Sequence, residues 1–371
     1  MGFSDITKYR LATQNIALAD ATKSPEEVLS SFGAIQAQDY PASLWAIGLR
    51  CKEGTTVKDI ENAIIKKKIA RTWLMRGTLH FAASRDMHWM LNLFRPRLLH
   101  TAIMRDKHLG LSDKVIERTK TLFYNALKKE KILTRKEMYK ILDKGGVPSK
   151  NNLGYHMLYR AAWDGVICFG PYTDKEQTFV LLDDHIVERN ELSEEQANAE
   201  LALRYFSSHG PATLKDYVWW SGLTVKDARL GIEKNTSKLN EEVILGNTYY
   251  MPKRMPKIND AHSVHLLPAF DEYLVSYADR NAMLGDPKMQ KAIKRMIQTQ
   301  KLTVIHSNGI FSPVIVVDGA VVGTWKRKID KGKLVVAFTP YVKISKDDMR
   351  LAKEETERYG RFLGMEVVIK S

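Results

Sequence analysis

Residues 33–40 read Gly33-Ala34-Ile35-Gln36-Ala37-Gln38-Asp39-Tyr40 and are followed by Pro41. Two glutamines flank one small apolar residue, with a carboxylate and a proline directly behind. Glutamine does not titrate, so it is not a strong general base. Its amide accepts a hydrogen bond from water while donating one to a sugar or phosphate. That suits a reaction whose leaving group is already activated, where placing a water matters more than deprotonating it. Residues i and i+2 on an α-helix point roughly 200° apart. Gln36 and Gln38 therefore share a target only where the helix ends between them or the chain is extended. Pro41 disfavours the α region at Tyr40 and favours such an end, with a helix reaching to about Gln36. The alternative is a pair of solvated polar residues at a helix end.

Three further clusters carry chemistry-bearing side chains. In Arg76-Gly77-Thr78-Leu79-His80, glycine permits a tight backbone. Arg76 can grip a phosphate or stack, and Thr78 and His80 alternate onto one strand face. A single strand histidine is equally a structural residue. Lys66, Lys67, Lys68 and Arg71 precede this cluster, either as a solvated helix end or as phosphate contacts. Asp271, Tyr273 and Arg280 form another group. Gly323-Thr324-Trp325-Lys326-Arg327-Lys328 is a basic strand end with one large aromatic. Trp219-Trp220 reads as core.

Several chemistries lack a signature. The sequence has no P-loop, no GxGxxG after a strand and no GxSxG, which argues against nucleotide hydrolysis, dinucleotide redox chemistry and serine hydrolysis. It has two cysteines, Cys51 and Cys168, and ten histidines without HExxH spacing. No metal, cofactor or disulfide framework is expected, and a reducing cytoplasm fits. No apolar run approaches the ~18 residues of a membrane span. Met1-Gly2-Phe3-Ser4-Asp5 lacks the start of an export signal, so neither export nor membrane insertion is expected.

The 371 residues carry a net charge of +14. A basic balance of that size favours a polyanionic partner, of which nucleic acid is the commonest. The elements that must position the clusters recur as one unit, short helices followed by a two-stranded hairpin. The first copy has helix starts at Ser24-Pro25-Glu26-Glu27, after Pro41 and at Val57, then strands 70–75 and 78–82. The second has a capping box at Thr134-Arg135-Lys136-Glu137, helices 135–143 and 151–164, and strands 166–169 and 178–182. The third has helix 194–207, starts at Thr213 and Thr224, and strands near 241–250. This is the winged-helix pattern, which commonly places a helix in a DNA groove and also serves as a protein-binding module. Beyond residue 260 come runs at 304–306, 313–317, 320–326 and 333–338, a hairpin signal at Asp318-Gly319, helix 345–363 and strand 366–369.

Ile35-Gln36-Ala37-Gln38-Asp39-Tyr40-Pro41, Leu74-Met75-Arg76-Gly77-Thr78-Leu79-His80, Leu267-Pro268-Ala269-Phe270-Asp271 and Val317-Asp318-Gly319 through Gly323-Thr324-Trp325 together resemble the AlkZ-like winged-helix DNA glycosylases. The resemblance runs over nearly the whole chain in the same order. It implies tandem winged helices around a DNA channel, excision of bulky N7-alkylated purines and some interstrand crosslinks, and Gln36 and Gln38 as the catalytic glutamines. A related branch has aspartate at the second position; Gln38 favours the first branch. The expectation is thus an α+β chain with winged-helix modules at 1–110, 111–192 and 193–258 and a β-rich C-terminal domain at 259–371. It would act as a monomer on double-stranded DNA with alkylated bases. No lysine stands in the glutamine motif, so a monofunctional enzyme is expected. Asp39 either supports a cationic sugar or caps the following helix. DNA contacts are expected from Lys66, Lys67, Lys68, Arg71, Arg76, Thr78, His80, Arg280, Lys326 and Arg327. The alternatives are a non-catalytic winged-helix regulator and a protein that sequesters a genotoxin.

Overall fold

Caps written into the sequence start most helices. Ser24 and Glu27 exchange reciprocal bonds at the head of helix Pro25–Phe32, with Glu27 accepting the Ser24 N–H at 2.8 Å. The same box opens helices Arg135–Lys144, Leu214–Ser221 and Lys346–Leu363, and Thr224 caps Val225–Glu233. Each places an acid against the orphan amides of the first turn.

The protein is described by a computed structural model covering residues 2–17, 22–173, 176–257, 261–285, 290–291, 305–306, 309–310 and 312–370. The described chain is α+β and divides into two units, Glu61–Asn198 and Met1–Ile60 with Ala199–Ser371. Among the described residues no helix is long and apolar enough to cross a membrane.

Within Glu61–Asn198 both expected hairpins form and join one antiparallel sheet. Its strands run Leu79–Ala83, Ile69–Trp73, Ile167–Phe169, Thr178–Leu181 and Leu133–Thr134 in spatial order. Trp73 packs 4.9 Å from Phe169 at the centre. The sequence patterns assign no element to residues 87–130, yet helices Met87–His108 and Asp113–Glu130 occupy them. Trp89, Met90, Leu91, Leu93 and Phe94 are all buried and only His88, Asn92 and Arg95 interrupt them, so the apolar face is broad where the helix starts and its period is hard to read. Pro96 inside it also reads as a break. Asp106 near its end meets His156 at 2.5 Å and Arg160 at 3.2 Å.

The other unit holds helices Pro25–Phe32 and Tyr40–Gly48, the helices from Ala199 onward, hairpin Leu239–Ile244 with Asn247–Pro252, and a five-stranded sheet. The sheet order is Val367–Lys370, Lys333–Pro340, Ala320–Asp330, Val314–Val317 and Val264–Leu267; only the first pair is parallel. Asp318 and Gly319, at φ 47° and 87°, make the two-residue turn the sequence signals. Of the expected strand at 304–306, Val304 lies outside the described residues, and Ile305–His306 pairs with Gly309–Ile310.

Helix Lys346–Leu363 lays Tyr359 and Phe362 against Trp45, at 4.9 and 5.0 Å between rings. A Cβ at Gly48 would fall 2.3 Å from Phe362, so the contact requires glycine. Beside it Arg50 and Asp271, both wholly buried, form a two-pronged ion pair at 2.9 and 2.7 Å. Arg50 also donates to Gln14 at 2.9 Å. Removing one partner strands a buried charge. Arg50→Ala is expected to cost about 3–5 kcal/mol in urea unfolding.

His262 bridges two carboxylates, Asp318 through Nδ1 and Asp348 through Nε2, each at 2.7 Å. Only the imidazolium donates from both nitrogens. The bond to Asp318 raises the His262 pKa above 6.5, with Asp348 adding to it and desolvation opposing. A raised folded pKa gives stability that is complete below the unfolded value and is lost as pH rises through the folded one. The stability gap between wild type and His262→Gln should therefore shrink from about pH 5.5 to about pH 8.5 in thermal melts; a gap that is constant or grows contradicts the clamp.

Candidate active site

The helix before the glutamines ends at Phe32, not near Gln36. Gly33 takes φ 82°, a backbone open to glycine, and turns the chain into the short strand Ile35–Gln36. Extended backbone sends alternate side chains to one side. Ile35 and Ala37 are buried at 1% and 0%, Gln36 sits at 9%, and Gln38 is exposed. The strand stops at Gln36, and Gln38 lies in the bend that follows it, so neither glutamine is helical.

The two glutamines are not equivalent. Gln36 Oε1 accepts the Gln38 N–H at 3.1 Å, which fixes the orientation of the Gln36 amide and holds the backbone at Gln38. Gln38 presents its side-chain amide at the surface. Asp39 Oδ1 accepts the Ala42 N–H at 3.1 Å and caps helix Tyr40–Gly48, with Pro41 in its first turn. Of the two roles open to Asp39, capping is visible in the geometry.

Beneath Gln36 lies a residue that sequence reading passed over. Glu272, fully buried, accepts the Gln36 N–H at 2.6 Å, the Trp220 indole N–H at 3.0 Å and the Ser276 hydroxyl. His209 Nε2 stands 3.6 Å from the same carboxylate. Burial lowers the His209 pKa, and Glu272 partly offsets this. The signal was a second acid directly after Asp271 in an apolar stretch. Asp271 itself serves Arg50, and Tyr273 donates to the Gly319 carbonyl at 2.8 Å, so that cluster holds the core.

The remaining expected residues divide by exposure. Lys66, Lys67 and Lys68 are exposed, and Lys67 Nζ donates to the Asp184 carbonyl at 2.6 Å. Arg76 is exposed at φ 54°, and half-buried Thr78 donates to the Met75 carbonyl at 3.2 Å. Arg71 and His80 are corrections. Arg71 is 2% exposed, with its guanidinium 4.7 Å over the Phe169 ring, and His80 is 0% exposed, with Nδ1 2.9 Å from the Thr78 carbonyl. Burial removes both from a DNA-facing surface. These residues belong to Glu61–Asn198, whereas the glutamines belong to the other unit. In the latter, half-buried Arg280 donates to the Leu274 carbonyl at 2.8 Å and lies 5.3 Å over Trp219. Lys326 is exposed, and half-buried Arg327 donates to the Tyr359 hydroxyl.

An amide pair at the end of a short strand, one carbonyl committed to the backbone and one residue exposed, can orient a water or a sugar oxygen and cannot abstract a proton strongly. Residues 29–362 match the profile of the family described as DNA glycosylase AlkZ-like. The chain belongs to that family and is a DNA N-glycosylase. It is 23% identical to the interstrand DNA cross-link repair glycosylase of Streptomyces sahachiroi over 356 residues, 92% of this chain and 91% of that protein. The solved structure of Streptomyces sahachiroi DNA glycosylase AlkZ matches with a TM-score of 0.77 at 21% identity, over 100% of both chains, so the fold is shared.

The cap at Asp39 is separable from chemistry. Asp39→Asn keeps a capping oxygen, whereas Asp39→Ala is expected to lose about 1 kcal/mol in chemical denaturation. If Asp39 acts only as a cap, Asp39→Asn releases base at the wild-type rate; a large loss would assign its charge to catalysis.

Proposed function

We propose that the chain hydrolyses the bond between an N7-alkylated purine and its deoxyribose in double-stranded DNA, with Gln36 and Gln38 as the catalytic pair. Alkylation at N7 makes the purine cationic and weakens its glycosidic bond. The C1′–N9 bond breaks with its electron pair leaving on the base, which neutralises it. The sugar becomes oxocarbenium-like, and a water adds its oxygen to C1′ and loses a proton to solvent. The products are a free base and an abasic site.

The task left to the protein is placing that water and stabilising the sugar cation. Gln38 would hold the water with its carbonyl while its N–H binds a neighbouring phosphate. Gln36 would share the sugar while keeping the Gln38 backbone in place. Without a strong base the reaction is slow on undamaged nucleotides, which protects them. The motif holds no lysine, so no imine forms and the strand is left intact.

The observation that carries this reading is the pairing of two glutamines where strand Ile35–Gln36 passes into a bend, joined by the Gln38 N–H to Gln36 Oε1 bond, with Gln38 exposed. The +14 charge supplies the affinity for DNA. Phosphate contacts are assigned to Lys66, Lys67, Lys68, Arg76, Thr78, Lys326 and Arg327, with Arg280 partly covered and Arg71 and His80 acting as core. Winged-helix modules at 1–110, 111–192 and 193–258 and a C-terminal domain at 259–371 are our reading of how the chain is built to follow a duplex as a monomer. The named activity of the Streptomyces sahachiroi relative supports extending the substrate to interstrand crosslinks, where a base tethered across the duplex cannot swing into a deep pocket.

The test is single-turnover release of base from a duplex carrying one N7-methylguanine, with hot alkali revealing abasic sites. Gln36→Ala and Gln38→Ala are each expected to slow release about 10²–10³-fold, with DNA affinity within about twofold of wild type. Wild-type rates in both variants would remove the glutamines from the mechanism. Affinity should fall steeply with salt and vary little with sequence.

A further inference from the structure

Glu272 commits its two oxygens to different parts of the chain. Oε1 accepts the Gln36 N–H at 2.6 Å. Oε2 accepts the Trp220 indole N–H at 3.0 Å and the hydroxyl of Ser276, one turn on. Gln36 in turn holds the Gln38 N–H at 3.1 Å through Oε1. Two hydrogen bonds therefore link a fully buried carboxylate, by way of Gln36, to the backbone N–H of Gln38, the exposed residue of the motif. Taking Gln36 and Gln38 as the catalytic pair, we propose that Glu272 is the positioning residue that aims them.

The donors around the site match a side chain that accepts on both of its oxygens. The Gln36, Trp220 and Ser276 groups that face Oε1 and Oε2 are donors. A carboxylate offers acceptors on both oxygens. A glutamine offers one acceptor and one donor, so either way round it sets N–H against N–H. An aspartate falls short by one carbon–carbon bond, about 1.5 Å. Asp271 is no substitute, because both its oxygens are taken by Arg50. The arrangement resembles the outer-shell partners that orient a metal ligand, here applied to a backbone amide. An error of about 1 Å at a reacting group costs on the order of 10²-fold in rate, so a loose Gln36 would act on the chemical step rather than on DNA binding.

Glu272→Gln tests the proposal, read as the single-turnover release rate and the DNA Kd on the N7-methylguanine duplex. The rate is expected to fall at least about tenfold with Kd within about twofold of wild type. A merely structural role would not depend on Gln38, so the same substitution is made in Gln38→Ala. There it is expected to cost less than about twofold, because the amide it aims is gone. If Glu272→Gln does not fold, Ser276→Ala replaces it, since it withdraws one donor from Oε2 without stranding a new polar group. The criterion is the same coupling to Gln38. A loss below about fivefold in the wild-type background, or an equal loss in both backgrounds, overturns the assignment. If Gln38→Ala itself reacts at the wild-type rate, the catalytic reading fails first and this proposal falls with it.

Discussion

The N–H of Gln36 ends on a carboxylate sealed from solvent. Removing a carboxylate from water costs several kcal/mol before any partner is counted, so its position is dictated by donors. Those donors come from far along the chain. Gln36 and Trp220 lie 236 and 52 residues from Glu272 in sequence. Satisfying one acid thus brings three distant segments to one place. Strand Ile35–Gln36, helix Leu214–Ser221 and the short turn of helix at Glu272–Val275 cannot shift independently. The adjoining Arg50–Asp271 pair works in the same way, fastening the end of helix Tyr40–Gly48 to the residue next to Glu272. Two neighbouring acids therefore anchor both sides of the glutamine segment, one through its own backbone and one through the helix that follows it.

This anchoring fits chemistry by neutral groups. An amide pair has no charge with which to pull a poorly placed water into line, so its value depends on where it points. Rigidity beneath the motif supplies what basicity does not. A stronger base would also attack undamaged nucleotides. On the proposed reading, weak polar groups held in fixed positions would discriminate through the substrate, because only a cationic purine departs readily.

Much of the architecture was legible because its causes are local. The capping box at Thr134, the N-cap at Ser24 and the helix start at Thr213 need four residues each, and the Asp318-Gly319 turn needs two. The glutamine spacing was legible as chemistry but its backbone was not. Gly33, with φ 82°, ended the helix earlier than Pro41 required and made an extended segment. Helix Met87–His108 was hidden by the breadth of its apolar face, which blurs the helical period, and by Pro96 inside it. Arg71 and His80 misled for a related reason. Alternation along a strand says which side chains share a face, not whether that face is covered, and every residue of Ile69–Trp73 and Leu79–Ala83 is buried. Glu272 was visible as a second acid after Asp271, but its role was not, because its partners lie 236 and 52 residues away.

The most direct measurement of the central claim is the pH dependence of base release at saturating enzyme. An N7-methyladenine duplex is the suitable substrate, since its ring lacks the acidic N1–H of the guanine lesion. Groups that do not titrate predict a flat single-turnover rate from about pH 6 to about pH 9. A rate that rises or falls tenfold per unit through that range, reporting an essential acid or base, would contradict catalysis by two amides.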